Sequence, residues 1–379
     1  NMIWDHRPGK HPFYGIAMQE YDLPSGSLIG NREIIFKGSS LGLTEGPHIY
    51  RRNGYYYLLT AEGGTEYDHA VSLARSRDIF GPYEIHPNNP ILTSSGNPEL
   101  KLQKAGHASL VETPQGEWYM PHLCGRPLPD SKNCNLGRET AIQKVEWHQD
   151  NWLYLAGGEN QPKMEVPAPN LKPHPWPALA DRLPFDSPHY ATPRGPSSSV
   201  MPEPNSLTLH GAESLESNFE QAMLARRLTS QNLTATTKIS FKPENFQQMA
   251  GLAAYYNTYL FHYLYLSMDE EKGLCLQIHS CDDGKSNFPL GGEIIPVSNN
   301  ELFLRASFND KRLQFYYSHC GQDFLKIGPV LDASILSDDH GEHWGFTGTF
   351  VALACQDLTG KKLPATFEFL ELCNNQKPG

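Results

Sequence analysis

The apolar residues of this chain come in short runs paired around polar turns, a pattern that leaves room for little besides antiparallel strands. The clearest case is LTEGPHIYRRNGYYYLLTAEGGT, residues 43–65. His48-Ile49-Tyr50 and Tyr55 to Thr60 flank Arg51-Arg52-Asn53-Gly54, and Asn-Gly between aromatic and β-branched residues predicts a tight hairpin. AVSLARSRDIFGPY, HASLVETPQGEWYMPHLCG and TAIQKVEWHQDNWLYLAGG repeat the unit, turning at Thr113-Pro114-Gln115-Gly116 and His148-Gln149-Asp150-Asn151. Repeated antiparallel units with polar residues at the strand mouths suit propeller blades. The stretch NQPKMEVPAPNLKPHPWPALADRL then breaks the pattern, because no helix or ladder survives that proline density; it predicts an extended linker. Period-two alternation returns afterwards. In NLTATTKISF, Leu233, Ala235, Thr237, Ile239 and Phe241 share one face, and FHYLYLSM, GLCLQIHS, ELFLRASF and ATFEFLEL continue in that style, as a two-sheet sandwich requires.

Composition supports an all-β chain and narrows its partners. Thirty prolines, 32 glycines and an aromatic set of 17 Phe, 18 Tyr and 6 Trp fit many short strands and tight turns. A net charge of −11 offers no basic stripe to neutralise phosphates, so neither nucleic acid nor an anionic membrane is expected as a partner. A neutral polar ligand fits better. No apolar run is long enough for a membrane helix, and the seven cysteines lack CxxC spacing, which favours reduced thiols and a cytoplasmic location.

Six separated segments carry a more specific message: the TEGPH corner with Glu45, LQKAGHASLV with His107, HLCGRPLP, LGRETAIQKVEW with Arg138, FQQMAGLAAYYNT and GFTGTFVALACQD. In order and spacing they resemble glycoside hydrolase family 43, and within it the β-xylosidase branch. The resemblance spans the chain and implies a five-bladed propeller followed by a concanavalin-like β-sandwich. Residues 1–160 would be the C-terminal portion of the catalytic propeller, 161–184 the proline-rich linker and 185–379 the sandwich.

It also implies an inverting exo-glycosidase that releases xylose from the non-reducing ends of short β-1,4-xylo-oligosaccharides, with α-L-arabinofuranosidase side activity. The alternatives are an arabinofuranosidase or arabinanase of the same family, and a non-catalytic carbohydrate-binding chain. No cofactor is required by this chemistry, and a homo-oligomer is expected.

The resemblance gives Glu45 the part of general acid, and Pro47 stiffens the chain just beyond it. His107 resembles the histidine at the propeller axis beneath the substrate, able to hold water or a cation. Arg138 resembles the arginine whose planar fork reaches sugar hydroxyls. Trp4 offers an apolar face to a pyranose ring, or else packs between blades. Phe346 and Phe350 resemble a loop over the pocket mouth, one lining the pocket and the other belonging to the core.

Asp338, Asp339 and Glu342 have the ligand type for calcium without a binding-loop spacing, so a solvated loop is preferred there. His69, His122, Arg226 and Arg227 read as structural or surface residues. In the family the general base and a third, acid-orienting aspartate lie upstream of the segment matching NMIWDHR. Asp5 and Asp22 do not correspond to them, so this chain carries the acid without the base. It is expected to need the family's first blades, in cis or in trans, and to be inactive alone.

Overall fold

The structure, a computed structural model, describes residues 2–4 and 13–375. It divides into two compact units: residues 1–126 with 138–175, and residues 127–137 with 176–379.

Among the described residues the first unit holds three antiparallel sheets. One contains β1 (Met2–Trp4), β2 (Phe13–Asp22) and β3 (Ser27–Phe36). The next contains β4 (Glu45–Arg52), β5 (Tyr55–Glu62), β6 (Ala70–Ser76), β7 (Glu84–Ile85) and β8 (Leu92–Thr93). The last contains β9 (Gln103–Ala108), β10 (Val111–Glu112), β11 (Trp118–Gly125), β12 (Glu139–Trp147) and β13 (Leu153–Leu155).

The hairpin forms as its sequence requires. Arg52 pairs with Tyr55, and Asn53 and Gly54 between them both have positive φ, as in a type I′ turn. Side chains alternate across a strand, so β5 feeds two cores at once. Tyr57 and Leu59 join Val71, Leu73, Met120 and Leu153 on one side, whereas Leu58 joins Ile16, Ile35 and Phe36 on the other. This sheet is covered on both faces by its neighbours in sequence, which is how consecutive propeller blades stack, and it explains why YYYLLTA carries no polar face.

The second unit is a sandwich of an eight-stranded and a seven-stranded antiparallel sheet. Leu233, Ala235, Ile239 and Phe241, from the alternating stretch, point into one core with Leu304, Phe315 and Phe367 of their own sheet and Leu252, Leu264 and Leu353 of the other. Thr237 shares that face, fully buried, and gives its hydroxyl to Phe369 O at 2.6 Å.

The proline-rich stretch has no regular element from 159 to 181. Its first half is held within the first unit, where Tyr119 Oη donates to Pro167 O at 3.0 Å and Asn170 N to Glu117 Oε2 at 2.7 Å. Residues 127–137, between β11 and β12, group with the second unit, and the later passage between the units falls at 175/176, inside the proline-rich stretch. Leu136 enters the sandwich core, Asn133 Nδ2 donates to Ser334 O at 3.0 Å, Cys134 N to Asp339 Oδ2 at 2.9 Å, and Arg227 Nη2 to Leu136 O at 2.8 Å.

Gly137 lies so close to the Thr347–Gly348 backbone that a Cβ would fall 1.6 Å from Thr347 O, and its φ of +70° is one that L side chains resist. Gly137→Ala should therefore destabilise the sandwich unit by about 2 kcal/mol or more, seen as a lower calorimetric Tm. An unchanged Tm would mean that this segment does not anchor there.

Candidate active site

Glu45 opens β4 at a break in the ladder. Glu45 pairs with Ala61 and His48 with Leu59, so Gly46 and Pro47 together face the single residue Thr60, a β-bulge of the kind that re-aims a side chain. Gly46 has φ +56°, and a Cβ on it would lie 2.6 Å from His107 Nε2 and 2.9 Å from two ring carbons. Only glycine lets the strand that carries Glu45 run against that imidazole.

His107 comes from an equally irregular strand. The β9–β11 register slips twice, and Lys104 and His107 both adopt positive φ, +56° and +47°. Non-glycine residues in this region are strained and cluster at functional sites. The ring is half-buried. Burial pushes its pKa down; Glu45 pulls it up, and His48 and Arg138 push it down further. A neutral imidazole therefore stands beside the Glu45 carboxyl, within electrostatic reach of Arg138.

Arg138 precedes β12, half-buried, and its Nη2 donates to Thr65 Oγ1. An ion pair at this strand end involves the next residue: Glu139 binds Arg126 through two hydrogen bonds of 2.9 and 2.8 Å. Arg138 is thus left aimed at the loop after β5. Thr65 gives no sequence signal beyond the Gly63-Gly64 pair before it, because its partner lies 73 residues away.

Beneath them, His69 is 2% exposed. Its Nδ1 lies 3.1 Å from Lys104 O, which can only accept, so that nitrogen carries the proton. Nε2 is left buried without a partner among the described residues. Burial, with smaller contributions from Arg138, His107 and His122, takes its pKa down from 6.5 to about 4. His122, also buried, has Nδ1 2.9 Å from Leu123 O.

The other sequence-predicted residues are placed as follows. Trp4 lies on β1, but its side chain, like Asp5, is outside the described residues. Asp22 ends β2 and accepts from Ser25 N at 3.0 Å in the turn to β3; the Ser25 hydroxyl, and then this backbone bond, lower its pKa.

In the second unit, Phe346 is 54% exposed with φ +51°, whereas Phe350 begins a strand and packs half-buried against a core of Met223, Ala253 and Phe261. Asp338 Oδ1 accepts from Tyr256 Oη and, at 3.0 Å each, from Gly345 N and Phe346 N; Asp339 accepts from Cys134 N. These two carboxylates hold loops, and no group of three acidic, His or Cys side chains among the described residues is arranged for a metal. Arg226 holds Ala180 O and Asp181 O at 3.0 and 2.7 Å, and Arg227 holds Leu136 O, so both are structural.

A carboxyl on a stiff bulge, a neutral imidazole against it and a guanidinium beside them form an arrangement with the groups that acid chemistry on a polar neutral ligand requires. Comparison with known proteins identifies the family. Residues 1–153 match the model of glycosyl hydrolases family 43, and residues 181–372 match that of the β-xylosidase C-terminal concanavalin A-like domain. The chain belongs to glycoside hydrolase family 43. It is 44% identical to the xylosidase/arabinosidase 43B of Humicola insolens over 97% of this chain and 71% of that protein. It is 44% identical to the β-xylosidase of Bacillus subtilis strain 168, over 97% and 72%. The crystal structure of a xylan β-1,4-xylosidase from Bacillus halodurans C-125 superposes with a TM-score of 0.94 at 46% identity, over 98% of this chain and 73% of that one.

The depressed pKa of His69 has a consequence for stability. At pH above about 6.5 folded and unfolded chains both carry it neutral; as pH falls further the unfolded chain takes up a proton that the folded chain refuses until about 4. Stability should fall across that window, by on the order of 3 kcal/mol for this group alone. His69→Asn, whose amide can still donate to Lys104 O, should flatten the Tm-against-pH curve between pH 6.5 and 4. Parallel curves for the two proteins would show that His69 does not titrate there.

Proposed function

We propose that the natural full-length polypeptide acts as an inverting exo-β-xylosidase, releasing xylose from the non-reducing ends of short β-1,4-xylo-oligosaccharides, with side activity on α-L-arabinofuranosides. The observation that carries this reading is the mounting of Glu45 on its bulge between Gly46, His107 and the Thr65–Arg138 pair. The likeness of nearly the whole chain to β-xylosidases supports it, and the Humicola insolens relative, named for both xylosidase and arabinosidase, favours the second activity.

In this reading Glu45 gives its proton to the glycosidic oxygen as the bond to the leaving sugar breaks. Inversion needs the two carboxyl groups roughly 6.5–9.5 Å apart, with water between the second one and the anomeric carbon. A bulge-fixed acid suits that spacing. Arg138 presents donors in a rigid fork to sugar hydroxyls, and Thr65 fixes the fork's direction. His107, kept neutral by burial, can accept or donate beside Glu45 without adding charge next to the acid. Among the described carboxylates none is assigned as the base that activates water.

Glu45→Gln preserves size and removes the transferable proton. In the natural full-length polypeptide it should cripple turnover of xylobiose far more than that of an aryl xyloside, whose leaving group needs little protonation. Equal losses on both substrates would count against a proton donor. Arg138→Lys keeps the charge but loses the fork; it should weaken inhibition by xylose by about 1–3 kcal/mol without lowering Tm. An unchanged inhibition constant would remove Arg138 from the ligand's contacts.

A further inference from the structure

Glu62 ends β5, one residue beyond Ala61, the partner of Glu45. It is fully buried, and so cannot meet a ligand. Its oxygens accept four hydrogen bonds: Oε1 from Ser39 N at 2.7 Å and Thr44 Oγ1 at 2.6 Å, Oε2 from Ser39 Oγ at 2.6 Å and Ser72 Oγ at 2.5 Å. None of these partners is a cation. They come from the loop before β4, from the residue preceding Glu45, and from β6.

Gly38 closes over the arrangement: a Cβ there would fall 1.9 Å from Thr44 Oγ1 and 2.7 Å from Glu62 Oε1. One residue further on, Gly63 N donates to Gly42 O at 2.9 Å, extending the seam. A carboxylate kept this deep without a counter-ion needs every one of its acceptor sites used, and here the donors stitch one loop to two strands.

The location of the seam matters because of the bulge. Between the Glu45–Ala61 and His48–Leu59 pairs the ladder is interrupted, so regular pairing does not hold the acid on its C-terminal side. The hold on its N-terminal side is the Thr44–Glu62 bond.

We propose that Glu62 is a positioning residue for the general acid, fixing through Thr44 the backbone from which the Glu45 carboxyl is presented to the glycosidic oxygen. This rests on the reading of Glu45 as proton donor. The test uses Thr44→Val, a near-isosteric change that removes the linking hydroxyl while Glu62 keeps its other three donors, and Thr44→Ser, which restores the hydroxyl.

In the natural full-length polypeptide, kcat and KM are measured on xylobiose and on 2,4-dinitrophenyl β-xyloside, whose departure needs no proton. Thr44→Val should lower kcat on xylobiose at least tenfold with KM within twofold, and change the aryl xyloside by less than threefold; Thr44→Ser should match the parent on both. Glu62→Asp, which retracts the carboxylate by one methylene, should give the same selective loss and serves if Thr44→Val does not fold. Loss on both substrates alike, or xylobiose turnover within threefold of the parent, overturns the proposal. Glu45→Gln in the same series separates the two readings: a selective loss there but not in Thr44→Val sinks the positioning role alone, and no selective loss in Glu45→Gln sinks the proton donor itself.

Discussion

The site rests on one steric constraint: the strand that carries Glu45 and the His107 imidazole occupy neighbouring space with nothing between them. Gly46 meets the ring where any Cβ would collide. Each strand has to leave its regular course to allow this, β4 through its bulge and β9 through two register slips with left-handed residues. Irregularity of this sort is locally unfavourable and persists only where the surroundings over-determine it. Those surroundings are the doubly covered middle sheet, whose residues Tyr57, Leu58 and Leu59 are all fully buried. A rigid, ordinary core therefore holds two unusual strand ends in register.

What the sequence revealed follows from the range of the interactions. The hairpin at Asn53-Gly54 is a local event written in adjacent residues, and it forms as expected. The alternation in NLTATTKISF is likewise local, and its apolar face turns inward with Thr237 satisfied on the same side. The TEGPH corner was legible as a stiff mount because Gly46 and Pro47 sit beside Glu45. Thr65 and Glu62 were not legible, since the partners that give them meaning come from loops and strands distant in sequence; a carboxylate at the end of YYYLLTAE was the one available hint. Phe346 and Phe350 are four positions apart in a single motif, and only the start of the strand at Phe350 separates an exposed ring from a packed one.

Glu62, fully buried, and Asp338, half-buried, both take their hydrogen bonds from hydroxyls and peptide groups. Glu62 is surrounded by serine and threonine, and Asp338 collects a phenol and two amides while holding Phe346 in a left-handed backbone. The imidazoles are managed differently. Burial pushes the pKa values of His69, His107 and His122 all downward, so these three imidazoles are uncharged near neutrality.

The excursion of residues 127–137 into the second unit changes what a chain break can do. The polypeptide passes from one unit to the other at 126/127, 137/138 and 175/176. A nick in the exposed proline-rich stretch would sever only the last of these passages, leaving the sandwich still joined by the other two and still holding Leu136 in its core. By the same count, a fragment beginning at Trp176 would be an incomplete object, short of a piece of its own interior. The chain thus crosses between the two units three times, so the familiar practice of trimming such a protein at its linker would not yield the domain that the linker delimits.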